Sequence, residues 1–127
     1  MKIKKVKQGP FDIGVREDDN IVLSVTIGNA QIGGNLVKLG TEQLQKGEIK
    51  NPDLGQGKDL VGKKLTVVTN VLDVNPSSNK VSVTHLFING TPTVFNYPPL
   101  AFDDMEVDED GDILSLTATY SFSKKNN

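Results

Sequence analysis

Seven carboxylates fall within ten residues near the end of the chain: Asp103, Asp104, Glu106, Asp108, Glu109, Asp110 and Asp112. Oxygen ligands at this density are what a hard cation such as calcium requires. Read as an EF-hand loop with Gly111 at the sixth position, Glu106, Asp108 and Asp110 take the first, third and fifth places. The pattern then fails. Its first place is Glu, its twelfth is Thr117 where a bidentate Glu belongs, and strands flank the loop where helices should. A looser calcium site is left, in which Asp108, Asp110 and Asp112, with Glu109 beside them, gather at one turn and are joined by Asp73 from a neighbouring loop. The plainer reading is favoured: Asp104, Glu106 and Asp108 alternate onto one outward face and, with Glu109, form a solvated acidic surface or a docking surface for a protein.

His85 is the only histidine, and the chain has no cysteine. Zinc fingers, disulfide scaffolds, cysteine nucleophiles and multi-histidine metal centres are therefore excluded. A hydrolase built on His85 would take Asp73 as orienting partner and Ser77, Ser78 or Ser82 as nucleophile. No G-x-S-x-G elbow exists to support it, and the place of His85 between Val83 and Phe87 reads as a half-buried strand position. A glycosidase pair drawn from the acidic segment lacks the apolar pocket that would split the two pKa values. Residues 57–64, GKDLVGKK, miss the phosphate-binding pattern by one residue. Lys64 stands where a hydroxyl must ligate magnesium, and a strand follows where a helix N-terminus is needed.

Lys2, Lys4, Lys5 and Lys7 form a basic arm, but only Phe11 lies near enough to supply a stacking ring, so single-stranded nucleic acid is disfavoured as a partner. The arm reads more simply as an edge strand protected by lysines. Asn89-Gly90-Thr91 matches a glycosylation acceptor and is better read as turn chemistry. Ser115, Thr117, Thr119 and Ser121 share one strand face, yet with no tryptophan a sugar-stacking platform is poorly equipped.

The elements that must carry these residues are strands, because apolar and polar residues alternate along most of the 127-residue chain and helical periodicity is nearly absent. Phe11, Ile13 and Val15 share one parity; Ile21, Leu23, Val25 and Ile27 share another, with a turn at Gly28-Asn29. Gly33 and Gly34 soften the strand over residues 30–39 and mark a bulge or a close backbone approach. Residues 40–62 are broken by Gly47, Pro52, Gly55, Gly57 and Gly62 and read as a long loop with one helical turn at most over residues 41–45. Residues 63–74 and 81–87 read as a hairpin, followed after Asn89-Gly90 by a third strand to Tyr97, completing a meander. A final hairpin turning at Asp110-Gly111 sets Val107 opposite Leu114 and Met105 opposite Leu116, with Leu114, Leu116, Ala118, Tyr120 and Phe122 facing inward.

These spacings predict an all-β, antiparallel β-sandwich of about 7–9 strands, immunoglobulin-like or C2-like in architecture, as one domain over residues 1–127. A chain of this size buries roughly two thirds of the surface it exposes when unfolded, enough for one core. No apolar run is long enough to span a bilayer, no signal-peptide core follows the basic start, and with no cysteine a cytoplasmic location is expected. The expected function is a non-enzymatic interaction or assembly module that meets a protein partner, or a second copy of itself, through loop tips or a sheet edge. It needs no cofactor unless calcium binds the acidic segment. A calcium-dependent surface binder is the alternative, and a His85 hydrolase the weaker one. Residues 103–112 carry −7 against −2 for the whole chain, so the remainder is basic and unlike ends of two molecules are expected to attract at low salt.

Overall fold

The computed structural model describes residues 1–99 and 105–125. Within them the chain is nearly all β: β1 (Ile3–Val15), β2 (Asn20–Ile27), β3 (Ile32–Leu39), β4 (Glu42–Glu48), β5 (Asp53–Gln56), a one-turn helix α1 (Gly57–Leu60), β6 (Lys64–Leu72), β7 (Lys80–Val81), β8 (Val83–Ile88), β9 (Val94–Tyr97), β10 (Met105–Glu106) and β11 (Ile113–Lys124). They form a five-stranded sheet in the order β1-β11-β6-β3-β4, a four-stranded sheet in the order β5-β2-β8-β9, and a two-stranded ribbon of β7 and β10. Among the described residues no sheet closes into a barrel. None of the described helices is long and apolar enough to cross a membrane.

Strand parity follows the sequence. Ile13 and Val15 of β1, Ile21, Leu23 and Val25 of β2, Leu65, Val67 and Val71 of β6, and all five expected residues of β11 are buried. They join Val37, Leu54, Val83, Phe87 and Tyr97 in one apolar cluster drawn from both larger sheets. Each such side chain contributes on the order of 1.5–3 kcal/mol relative to exposure. The lysine arm is an edge strand, as its charges suggested. A Cβ on Gly33 would lie 2.0 Å from the Asn70 carbonyl oxygen, so the close approach to β6 requires glycine there.

Strand partners differ from the sequence reading at several places. β6 and β8 lie in different sheets, so residues 63–87 are not a hairpin and only β8 and β9 of the expected meander pair. Alternation reports which side of a strand is buried, not which strand lies beside it. Residues 40–62 are not a loop: β4 and β5 are edge strands, and β4 buries so little that only Leu44 and Gln45 are even half-covered, which leaves no alternation to read. The stretch read as one helical turn belongs to β4. These strands raise the number to eleven among the described residues.

The final hairpin is also repaired. Both edges of β11 are taken, by β6 (Leu114 beside Val71) and by β1 in a parallel pair (Leu114 beside Lys4). Met105 and Glu106 therefore pair with Val81 and Lys80. The turn at Asp110-Gly111 stands, with Gly111 at φ 88° and Asp112 N–H donating to the Glu109 carbonyl at 3.1 Å. The turn after β2 is centred one residue later than read, on Asn29 and Ala30, both at positive φ. Asp103 and Asp104 lie outside the described residues.

Candidate functional site

Two polar groupings stand out, one at the loop end of the molecule and one inside it. At the loop end, the backbone brings Asp73 to the acidic turn: Asp73 N–H donates to the Asp112 carbonyl (3.0 Å) and Gly111 N–H to the Asp73 carbonyl (2.8 Å). The loop that follows is held by the buried Gln31. Its Oε1 accepts from the N–H groups of Val74 and Asn75, and its Nε2 donates to the carbonyls of Ser78 and Lys80. Asn79 is thereby carried to the acidic turn. Its amide Nδ2 donates to Asp73 Oδ2 at 2.7 Å and to Asp110 Oδ1 at 2.9 Å, the orientation in which both carboxylates find a donor. Asp73 Oδ1 is buried without a partner.

Of the four aspartates considered as cation ligands, Asp73 and Asp110 meet around Asn79. Asp112 turns elsewhere. Its buried carboxylate accepts from the backbone N–H of Lys2 (2.8 Å) and of Glu109 (3.1 Å). The Lys2 bond leads the causes that hold its pKa below the usual carboxylate value; burial opposes them, and the Glu109 bond and nearby positive charge assist. Asp108 is exposed, its carboxylate 3.4 Å from Lys2 Nζ. Glu106 and Glu109 are exposed beside it. Lys4 Nζ donates to the Glu106 carbonyl at 3.0 Å, so part of the basic arm lies against the acidic turn of the same molecule. The described residues contain no group of three His, Cys, Asp or Glu able to hold a metal.

The second grouping is a chain of five buried side chains. Thr69 Oγ1 donates to Asn35 Oδ1 (2.9 Å), which leaves that hydroxyl oxygen to accept from His85 Nε2–H at 3.1 Å. Nδ1 is then the acceptor. Tyr120 Oη donates to it at 2.8 Å and accepts from Tyr97 Oη at 2.7 Å. Asn35 Nδ2 ends the chain, buried without a partner. Strands β3, β6 and β11 of one sheet and β8 and β9 of the other are joined in this way. Burial pulls the His85 pKa down to about 4 and pushes Tyr97 up to about 12, the latter against a lowering by its bond to Tyr120. Burial, with the charge and hydrogen bond of Tyr97, raises Tyr120 further.

The chain matches no family model, no curated protein and no solved structure. What it can do must be read from its own geometry.

His85 is fully buried, not half-buried as its strand position suggested, and both ring nitrogens are engaged. Asp73 is bonded into the loop end, Ser78 Oγ accepts from Lys80 N–H, and Ser82 Oγ accepts from Asn29, so the hydrolase constellation is not assembled around the ring. The phosphate-loop near-miss makes the four-residue α1, where Gly57 passes so close to the Arg16 carbonyl that a Cβ would lie 2.0 Å from its oxygen. An open cleft of about 480 Å³ runs between β4 and β5, lined by Leu39, Leu44, Leu54 and Asp53. The Asp53 carboxylate accepts from Asn20 and from Gly55 N–H, which hold its pKa down.

Gln31, Asn35, Thr69 and Asn79 were not singled out by sequence reasoning. A polar residue at an inward parity position was the available signal for Asn35 and Thr69. For Gln31 and Asn79, which act through loops, there was none.

Proposed function

We propose that the protein is a non-enzymatic interaction module: a β-sandwich in which the five-stranded and four-stranded sheets pack face to face, immunoglobulin-like or C2-like in architecture. It docks on a basic protein partner, in the cytoplasm, through the exposed acids Glu106, Asp108 and Glu109. The observation that carries this reading is a separation. The only histidine and both tyrosines are sealed in a relay with no exposed member, whereas Glu106, Asp108 and Glu109 at the loop end face solvent. A general base must reach its substrate, and His85 reaches only protein. The sandwich is supported by the inward alternation of both sheets and by the Thr69–His85 contact between them.

Capture from source lysate at low salt, followed by the triple charge reversal Glu106→Lys, Asp108→Lys and Glu109→Lys, tests the proposal. A partner retained by the parent chain and lost by the variant is expected. Capture that the reversal leaves unchanged, or no partner together with a strict monomer in light scattering, contradicts it. A second reading, calcium-dependent recognition through the same end, is carried by the two carboxylates, Asp73 and Asp110, that meet there.

A further inference from the structure

We infer that the basic partner of the acidic end is a second copy of this chain, which receives it on the outer face of the five-stranded sheet; the inference rests on the docking reading above. Strand register builds that face. Leu114, Leu116 and Ala118 of β11 point into the core, so Ser115, Thr117 and Thr119 between them point out. Pairing carries the outward side across the sheet: Ser115 lies beside Lys5 and Asn70, Thr117 beside Lys7 and Val68, and Ser121 beside Lys64. It continues from Thr66 to Lys38 and from Leu36 to Lys46. Five exposed lysines from four strands therefore stand on one surface, roughly 20 Å wide. Against them stand Glu48, beside Gly34, and Asp12, whose carboxylate accepts from Ser121 and Ser123. The outward positions of β2 and β8 in the other sheet, Val22, Ser24, Thr26, Thr84 and Leu86 among them, carry no charge.

Charge complementarity names the occupant. Residues 103–112 carry −7 of a total of −2, which leaves +5 for the rest, so each copy presents a compact acidic tip and a broad basic plane to the next. The two do not meet within one molecule. Among the described residues none of these five lysines forms an ion pair, and neither does Glu106 or Glu109. The start of the basic arm is spent instead on its own acidic turn, through Lys2 against Asp108 and Lys4 on the Glu106 carbonyl. Apolar surface lies beside the charges. Val68 and Leu36 sit side by side between Lys7 and Lys46, and Ile3, Ile113, Leu72 and Ile32 form a row across the end of the face. Ile3 and Ile32 are more than half exposed, which gives a docked neighbour apolar area to cover. Nucleic acid fits the same lysines less well. Its charge has one sign along its whole length, and the outward strand positions hold no arginine and no ring on which a base could stack.

Sedimentation of the full chain tests the surface at about 10 mM and about 1 M salt, where charges act over roughly 30 Å and 3 Å. The average mass is expected to rise with protein concentration at low salt, and the association to weaken by about tenfold or more at high salt. Lys7→Glu, Lys38→Glu and Lys46→Glu together, all at exposed positions, should leave a monomer at low salt. The triple reversal at Glu106, Asp108 and Glu109 should do the same. An equal mixture of the two variants should associate again, because each keeps the surface that the other has lost. A parent chain that stays monomeric at low salt up to about 1 mM overturns the inference. If its acidic end still captures a different protein, the docking reading stands without the second copy. Association that either variant retains also overturns it, as does a mixture that stays monomeric while both variants keep the circular dichroism of the parent. A monomer that binds a duplex oligonucleotide through these lysines overturns it too and gives the face to nucleic acid.

Discussion

His85 Nδ1 lies 2.8 Å from Tyr120 Oη, and this bond ties the four-stranded sheet to the five-stranded one at the centre of the core. Around it gather Phe11, Phe87, Phe95 and Phe122, with Phe87 and Phe95 edge-on to Tyr120 at ring separations of 4.7 and 5.0 Å. The pair is therefore both dry and fully bonded, which fixes its protonation and gives several measurable consequences.

Stability should fall in mild acid. The imidazole takes up a proton near pH 6.5 in the unfolded chain and only near 4 in the folded one, so between these values the unfolded state binds more protons. Stability is full above pH 6.5, declines as pH drops through the window, and is lower by about 3 kcal/mol below pH 4. Urea midpoints across pH 3.5–7.5 report it. Equal midpoints at pH 4.5 and 7.5 would contradict it.

Both tyrosines of the chain sit in the relay, and there is no tryptophan, so tyrosinate absorbance reads the relay alone. Both pKa values are raised, so the contribution of the tyrosines is full below pH 10, and that of Tyr97 is lost as pH climbs through about 12. Little tyrosinate should appear at 295 nm before the circular dichroism of the fold is lost. A smooth titration centred near pH 10 in the folded protein would exclude the arrangement.

Removing one hydroxyl from the relay should cost more than a surface hydrogen bond. Tyr120→Phe leaves His85 Nδ1 without its donor and Tyr97 Oη without its acceptor, and Thr69→Val strands Nε2–H and Asn35. Each should destabilise the protein by about 1–3 kcal/mol in chemical denaturation. A loss under about 0.5 kcal/mol for both would show that the chain of bonds is not formed.

Asp112→Asn should loosen the start of β1. The carboxylate holds the Lys2 and Glu109 N–H groups, and its lowered pKa places its contribution above the usual carboxylate range, lost as pH falls through the depressed value. Amide exchange at Lys2 and Glu109 should quicken in the variant at neutral pH while the centre of β6 stays protected. Unchanged exchange would remove the role given to Asp112.

Much of this was legible in the residues. The period-two alternation of Leu114, Leu116, Ala118, Tyr120 and Phe122 identified an inward face, and Gly33 announced a close approach. Pairing was not legible. Val81 and Met105 alternate identically whether they face each other or another strand, so β10 was given to β11 when it belongs to β7. The strand at 42–48 buries too little to leave a pattern. At the candidate site, Asp73 and Asp110 were named from composition, while Asn79 and Gln31 act through loop geometry that no spacing encodes. His85 was placed on the right side of its strand, but its depth depends on Tyr120 and Thr69 arriving from the opposite sheet.

The most direct measurement is nitrogen NMR of the single imidazole between pH 4.5 and 8. A neutral ring protonated at Nε2, with shifts that stay constant across this range until the foot of an acid transition near pH 4 appears, is the expected result. A ring that titrates near 6.5 in the folded protein would contradict the sealed relay, and with it the separation on which the non-enzymatic reading stands.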